Sequence, residues 1–311
     1  MKNILILICA IILSGCVGEK QLPNEPLKLM SFNMAFCRDS KDLKIWEQRK
    51  DIIMPVLKSY DVDICACQEP YAFQIKYLAK QTSEYEYVGT LSGDETPDKY
   101  ASRPEKYHKR HLVLPNMNNP IWYKKDKFQV LESGKFWYSK TPDKQSGAWE
   151  EDRWDGERTC VWAKFRQRSN GREFYVFNSH WLVARNETDV ESLKSAKLLL
   201  KKINEIAKNK TFFITGDFNA TDSYDSIKAL KSSGFLKSAK DCAKITDLTP
   251  KATFVGFNGE RNTGKIIDHI FASCDVSVET FRIDNSYKLS TDGKKIYPSD
   301  HLPIIITADF Q

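Results

Sequence analysis

Two long amphipathic helical repeats set among many short strand-like runs constrain this fold more than any other feature of the sequence. Ile45, Trp46, Ile52, Ile53, Val56 and Leu57 recur at helical spacing and predict a helix over 43–60, between apolar runs at 27–34 and 61–68 that read as strands. Val190, Leu193, Ala196, Leu199, Leu200, Ile203 and Ile206 predict a second helix over 189–208, with strand-like runs at 173–179 before it and 211–215 directly after. Further strands are expected at 120–123, 128–137, 159–165, 266–272, 276–283 and 303–309. Strands thus arrive both as neighbours and as strand–helix–strand units, a pattern that two packed mixed sheets with helices outside accommodate. Residues 92–118 follow neither period and are rich in Pro, Asp, Asn and Lys, which marks a long surface loop of the kind that carries substrate contacts.

The first residues are not part of that fold. Lys2, an apolar run from Ile4 to Leu13, and then Leu13-Ser14-Gly15-Cys16 read as a secretory signal of the lipoprotein type, with residues 1–15 removed and Cys16 lipidated. The apolar run is shorter than the roughly 20 residues a spanning helix needs, whereas a lipid on Cys16 tethers a domain without one. Residues 16–26 are polar, contain proline and lack periodicity, as a tether does, which leaves 27–311 as one domain. Neither Val17 nor Gly18 is the Asp associated with inner-membrane retention in some bacteria, so the expected location is the cell envelope, at the outer membrane or cell surface, as a monomer. Loss of Lys2 with the signal takes the net charge from +6 to +5, and that charge is scattered, so a polyanionic substrate is allowed without being demanded. Of eight cysteines, six remain once Cys9 and Cys16 are set aside. Disulfides are permitted outside the cytoplasm, but the spacing matches no zinc pattern, and most of the six are expected to be small buried hydrophobes, with Cys65 and Cys67 sharing a strand face unbonded.

Polar residues gather where the strands end. Asn33 comes late in its strand, Gln68-Glu69 ends the second, Asn178-Ser179-His180 and Gly216-Asp217-Phe218-Asn219 end two more, Asp268-His269 opens another, and Ser299-Asp300-His301 precedes the last. Any one of these is ordinary, because polar residues cap strands and start turns throughout globular proteins. Their recurrence is informative, since several strands ending at one rim aim them into a common cleft. Carboxylates and amide oxygens are hard ligands suited to Mg²⁺, histidines donate to phosphate oxygens, and an Asp or Asn orients an attacking water. Zinc is disfavoured: there are five histidines, no His-x-x-x-His, and no cysteines grouped with them. Neither a Gly-x-Ser-x-Gly elbow nor a Gly-rich phosphate loop occurs.

At these residues the chain resembles the endonuclease/exonuclease/phosphatase superfamily, which includes pancreatic-type deoxyribonuclease, abasic-site endonucleases, inositol polyphosphate phosphatases and bacterial sphingomyelinases. The anchors are Ser31-Phe32-Asn33, Gln68-Glu69-Pro70, Asn178-Ser179-His180, Gly216-Asp217-Phe218-Asn219, Ile267-Asp268-His269-Ile270-Phe271 and Ser299-Asp300-His301-Leu302-Pro303, in family order from Leu27 to Phe310. The stretches from Gly134 to Pro142 and from Arg158 to Ala163 look like a bacterial subgroup of small hydrolases. The resemblance implies a four-layered α/β/β/α sandwich of two mixed sheets, DNase I-like, with the site at the rim between the sheets. It implies a Mg²⁺-dependent phosphoester hydrolase, Mn²⁺ being a substitute, in which Glu69 is the principal metal ligand helped by Asn33 and Asp300. Asp217 would orient or deprotonate the water, Asn219 would hold it, and His301 paired with Asp268 would stabilise the pentacovalent phosphorus. His180 would bind the phosphate from the other side, and Arg158 is either a further phosphate contact or a surface salt bridge.

The chain also departs from the family pattern. Trp181, Leu182 and Val183 stand where many relatives carry an Asp after the histidine, and Ala35 stands where abasic-site enzymes carry one, which argues against abasic-site repair. Strand alternation should point His269 away from the site, and His108 and His111 fall in the long basic loop. Trp137 and Trp162 are expected in the core, whereas Trp149 and Trp154 lie in a loop of mixed charge, where lining a substrate mouth is the lesser of the alternatives. Lys and Arg are interspersed with Asp and Glu, so no continuous basic track for nucleic acid stands out, and no apolar hairpin suited to entering lipid is evident. Extracellular nucleic acid, a phosphorylated small molecule and a phospholipid headgroup all remain open as substrates, with a catalytically inactive surface binding protein as the alternative of another class.

Overall fold

The structure is a computed structural model that describes residues 25–37, 40–89, 119–147, 149 and 157–310. Cys16, the signal, most of the tether, the 92–118 loop with His108 and His111, and Trp154 lie outside the described residues.

The first half of the chain forms β1 (Leu27–Asn33), α1 (Ser40–Ser59), β2 (Ile64–Gln68), α2 (Ala72–Ala79), β3 (Tyr85–Val88), β4 (Ile121–Lys124) and β5 (Phe128–Trp137). It continues through β6 (Thr159–Gln167), β7 (Glu173–His180), α3 (Val190–Ala207), β8 (Phe212–Asp217), α4 (Asp225–Lys231), β9 (Leu236–Ser238), α5 (Ala239–Cys242) and β10 (Ile245–Asp247). The last elements are β11 (Asp268–Ser273), β12 (Val276–Ile283), β13 (Lys288–Leu289), β14 (Lys295–Ile296) and β15 (Ile304–Phe310). A seven-stranded sheet runs β10-β12-β15-β1-β2-β4-β3 and a six-stranded sheet runs β5-β6-β7-β8-β11-β9. Both are mixed: β1 and β2 pair in parallel, as do β7 and β8, while most other neighbours are antiparallel. Of the three parallel pairs, β1–β2 and β7–β8 are the two strand–helix–strand units, since a parallel neighbour requires a crossover and α1 and α3 supply it, while β10 and β12 are joined through β11 of the other sheet. Local capping fixes α3 where its periodicity begins and ends: the Asp189 side chain accepts from Ser192 N at 2.9 Å, and Lys208 adopts a left-handed conformation at the other end.

Three apolar clusters separate the four layers. The central one, between the sheets, includes Leu27, Leu29, Ile64, Phe174, Val176, Phe213, Ile270, Ala272, Ile304 and Ile306. A second, with Met30, Phe32, Cys65, Cys67, Trp46, Ile53 and Ile75, packs the larger sheet against α1 and α2. A third, with Phe177, Ile214, Phe271, Leu199 and Ile203, packs the smaller sheet against α3 and α4. Strands covered on both faces show no polar alternation, so the period of two is written instead as membership of one core or the other. In β1, Leu27 and Leu29 face the central core and Met30 and Phe32 face α1. Extending each inward series to the strand end puts Asn33, Gln68, Asn178, His180, Asp217 and Asp268 on inner faces, at the same rim.

Register brings those ends level. Asn33 lies opposite Gln68, His180 opposite Asp217, and Asp217 opposite Asp268. Gln68 and Asn178 stitch the two sheets together, with Gln68 Nε2 donating to Asn178 Oδ1 at 2.7 Å and Asn178 Nδ2 to the Cys67 carbonyl at 2.7 Å. The six described cysteines are free, four of them buried, and the sulfurs of Cys65 and Cys67 are 3.6 Å apart without a bond. Trp149 is no part of a substrate mouth: its Nε1 donates to Ser195 Oγ at 2.8 Å, and it packs with the α3 cluster because the preceding loop folds back over that helix. Trp162 is only half-buried, so of the two tryptophans expected in the core Trp137 alone is enclosed.

Candidate active site

Asp217 is the hub of the rim. It is buried, and its Oδ2 accepts from Asn33 Nδ2 at 3.0 Å while facing His180 Nε2 at 3.5 Å and His301 Nε2 at 3.7 Å. Its other oxygen accepts the Asn219 backbone N–H at 2.9 Å, and the Asn219 side chain donates to the Trp181 carbonyl at 3.0 Å. Burial and the neighbouring Asp268 carboxylate push Asp217 up to about 7, against the pull of His301 and the Asn219 amide.

His301 and His180 have opposite electrostatics. His301 Nδ1 meets Asp268 Oδ2 at 2.9 Å. Burial disfavours its charged ring, but Asp268 and Asp217 outweigh that cost and raise its pKa well above the ordinary value, so it is an imidazolium at neutral pH. Burial drives His180 the other way, with help from the Arg158 and His301 charges, and leaves it neutral. Its approaches to Asp217 and to Glu69 Oε1, the latter 3.7 Å, are therefore dipolar contacts rather than ion pairs. Arg158 is buried, with Nη1 3.2 Å from both ring nitrogens of His180, so it faces that ring at the rim and is not a surface residue.

Glu69 follows β2 with φ +72°, and its Oε2 accepts from Phe36 N at 2.9 Å. Burial and the Asp300 carboxylate push its pKa up, against His301, the Phe36 N–H and the Asn33 amide. A buried carboxylate raised by a second carboxylate is a place where a cation relieves both, and the donors at hand are hard oxygens from Glu69, Asp300 and Asn33. That set fits Mg²⁺ or Mn²⁺. Two groups have ligand atoms all within 4.8 Å of one another: Glu69, His180 and Asp217, and Asp217, Asp268 and His301. Asp300 is in neither; it accepts from Ser299 Oγ at 3.2 Å and acts on Glu69 through its charge.

All the site residues expected from the sequence within the described residues meet at this rim: Asn33, Glu69, Arg158, His180, Asp217, Asn219, Asp268, Asp300 and His301. His269 points to the helix layer, where its Nε2–H donates to the Ala220 carbonyl at 2.8 Å, as alternation requires. Two supports were not anticipated. Thr253 Oγ1 accepts the backbone N–H groups of Ile267 and Asp268 at 3.0 and 3.2 Å and so sets the start of β11. Arg49, buried within α1, donates to the Pro298 carbonyl at 2.6 Å and the Ala35 carbonyl at 3.1 Å, tying the segment after Asn33 to the segment before Asp300. Its guanidinium lies between Trp46 and Phe257, 5.1 and 5.3 Å from the ring centres. The available signal was an arginine at helical spacing with Trp46 and Ile53, on the face the helix buries. Ala35, Glu69 and Asn219 all have positive φ (56°, 72° and 50°), and such backbone strain costs about 1–3 kcal/mol each where the surrounding structure fixes it.

Comparison with known proteins gives the same picture. A protein of Acanthamoeba polyphaga mimivirus, described as uncharacterized, is 26% identical over 272 residues, 84% of this chain and 91% of that protein. A crystal structure of an endonuclease/exonuclease/phosphatase family protein from Bacteroides thetaiotaomicron superposes with TM-score 0.78 at 26% identity, covering 93% of this chain and 99% of that one. A mannosyl-6-phosphatase from the same organism superposes with TM-score 0.76 at 27% identity, covering 91% and 100%. The family model for Endonuclease/Exonuclease/phosphatase matches residues 30–301, from within β1 to the rim histidine, and with the shared two-sheet sandwich this establishes that the chain belongs to that family.

Proposed function

We propose that this chain is a divalent-metal-dependent phosphoester hydrolase that directs water at phosphorus. The observation that carries the reading is the convergence on Asp217 Oδ2 of Asn33, His180 and His301, at 3.0, 3.5 and 3.7 Å, with one imidazole charged and the other neutral. Asp217 accepts the proton of the attacking water as the water oxygen bonds to phosphorus and the bond from phosphorus to the alcohol oxygen breaks. The alcohol then leaves with a proton drawn from solvent. A pKa of about 7 suits that base at neutral pH. His301, held by Asp268, donates to a phosphoryl oxygen as charge builds there, and His180 and Arg158 hold another. Mg²⁺ or Mn²⁺ bound by Glu69 with Asn33 and Asp300 would neutralise phosphate charge and polarise the ester. The likeness to a mannosyl-6-phosphatase supports a phosphorylated small molecule as substrate.

Turnover of bis-p-nitrophenyl phosphate or p-nitrophenyl phosphate is expected with Mg²⁺ and not with EDTA. His301→Ala and Glu69→Ala should each reduce it roughly 10²–10⁴-fold with unchanged circular dichroism. Activity that survives chelation removes the metal from the mechanism, and a folded wild-type protein that turns over no phosphoester leaves the inactive binding protein as the better reading.

The same reading makes the protein an exported lipoprotein tethered by Cys16, with domain 27–311 beyond the tether. The supporting feature is the sequence from Lys2 to Cys16; no helix among the described residues is long and apolar enough to cross a membrane. Fatty-acid labelling in a bacterial host should mark the full chain and not Cys16→Ala. Equal labelling of both would remove the anchor.

A further inference from the structure

A cleft of about 1000 Å³ opens directly beside the rim and is used by none of the steps above. It starts at Ala35, Phe36 and Asp300, and is walled by α1, the 256–261 loop and the β13–β14 hairpin. Asp217, Asn219, Asp268 and His301 are absent from its lining. In an in-line displacement the leaving oxygen departs on the face opposite the attacking water. Asp217 and Glu69 both approach Nε2 of His180, and the cleft meets this group through Phe36, whose N–H donates to Glu69, and through Asp300. In a phosphomonoester the only part of the substrate beyond the phosphoryl group is the alcohol that leaves, so a cleft continuous with the rim at Phe36 and Asp300 is where that alcohol extends.

Its chemistry says what that alcohol carries. Phe36, Phe257 and Tyr297 are among its lining residues. The lining carries the carboxylates Asp42, Glu260, Asp292 and Asp300 beside its cations, and of the cations Lys41, Arg49 and Lys294 are already engaged. Arg49 is committed to two backbone carbonyls and Lys294 to Asp292 at 2.9 Å. Arg261, Lys288 and Lys295 make no ion pair with any described carboxylate; Lys295 lies 4.4 Å over the Tyr287 ring. These three lie on two separate walls, the 256–261 loop and the hairpin, so they face one space from two sides. At about 1000 Å³ the cleft is at the upper end of small-molecule sites, and a bare monosaccharide would leave those cations with only water.

We propose that this cleft is the leaving-group subsite and that it selects phosphoesters whose alcohol carries a second anionic group, as a sugar bisphosphate or a phosphorylated sugar acid does. The proposal rests on the hydrolase reading above. In the wild-type full-length protein with Mg²⁺, kcat/KM for glucose 1,6-bisphosphate and for 6-phosphogluconate should exceed that for glucose 6-phosphate by about tenfold, the sum of two modest exposed ion pairs. The gain should appear in KM and shrink as ionic strength rises, because exposed charges are screened. Lys288→Gln combined with Lys295→Gln, and separately Arg261→Gln, should bring the ratio towards one by raising KM for the dianionic substrates. These side chains are exposed, so the variants are expected to fold, which circular dichroism checks. Equal kcat/KM for all three sugars in a protein that turns over p-nitrophenyl phosphate overturns the inference and leaves the hydrolase reading standing. A preference that survives the substitutions also overturns it. No turnover of any phosphoester overturns both.

Discussion

At the scale of single residues, the rim separates two imidazoles and two carboxylates by environment. Asp217 works as a base only when unprotonated, so activity should rise as pH climbs through about 7. His301 works as an imidazolium, and its raised pKa means that activity falls only at a pH well above the ordinary histidine range. The sign follows from its partners: carboxylates favour the charged ring, so removing one lowers its pKa. Asp268→Asn should therefore move the alkaline limb of the kcat/KM profile to lower pH and narrow the active range, besides lowering the maximum. An unchanged alkaline limb in that variant would show that another group titrates there. Most of these residues were legible as chemistry from their types alone. Their charge states were not, because His180 and His301 differ only in what is packed beside them: Arg158 for one, Asp268 and Asp217 for the other.

At the scale of elements, the site depends on how closely β7 and β8 run at their ends. A Cβ on Gly216 would lie 2.1 Å from the Ser179 carbonyl oxygen, a backbone atom that cannot rotate away. Gly216→Ala should therefore force the strands apart beside Asp217, costing about 1–3 kcal/mol or more in a urea titration. A displacement of the order of 1 Å at Asp217 should lower turnover about 100-fold. Wild-type rates in this variant would mean that Asp217 tolerates movement and is not the positioned base. The long elements were legible because a repeat over many residues is hard to mistake: the strands at Phe128–Trp137 and Val276–Ile283 match their apolar runs end to end. The short ones were not. α2, α4, β9 and β10 are too brief for a period to emerge, and the β13–β14 hairpin was passed over although Asp292-Gly293 at its tip is a turn signal.

At the scale of the whole molecule, the two sheets are held by an aromatic junction. Phe174 is fully buried and its ring lies 5.0 Å from Phe310 of the other sheet, with Phe128, Phe165 and Phe213 within 6.0 Å. Phe174→Ala should cost roughly 3–5 kcal/mol, a large share of the 5–15 kcal/mol typical of a domain, read as a lower urea midpoint at unchanged slope. A loss under 1 kcal/mol would mean that the sheets are held elsewhere.

The sequence by itself determined the four layers, the strand that carries each polar end and the residue types offered to phosphate, because periodicity and strand alternation are local properties of the chain. Only the tertiary structure decided that Asp217 is the hub, that Arg49 ties the Ala35 and Pro298 segments together, that Trp149 packs on a helix, and that a cleft lined from α1, the 256–261 loop and the hairpin opens at Asp300. Those facts rest on contacts between residues far apart in the chain, and their distances are set by how two sheets pack and which ends they bring level.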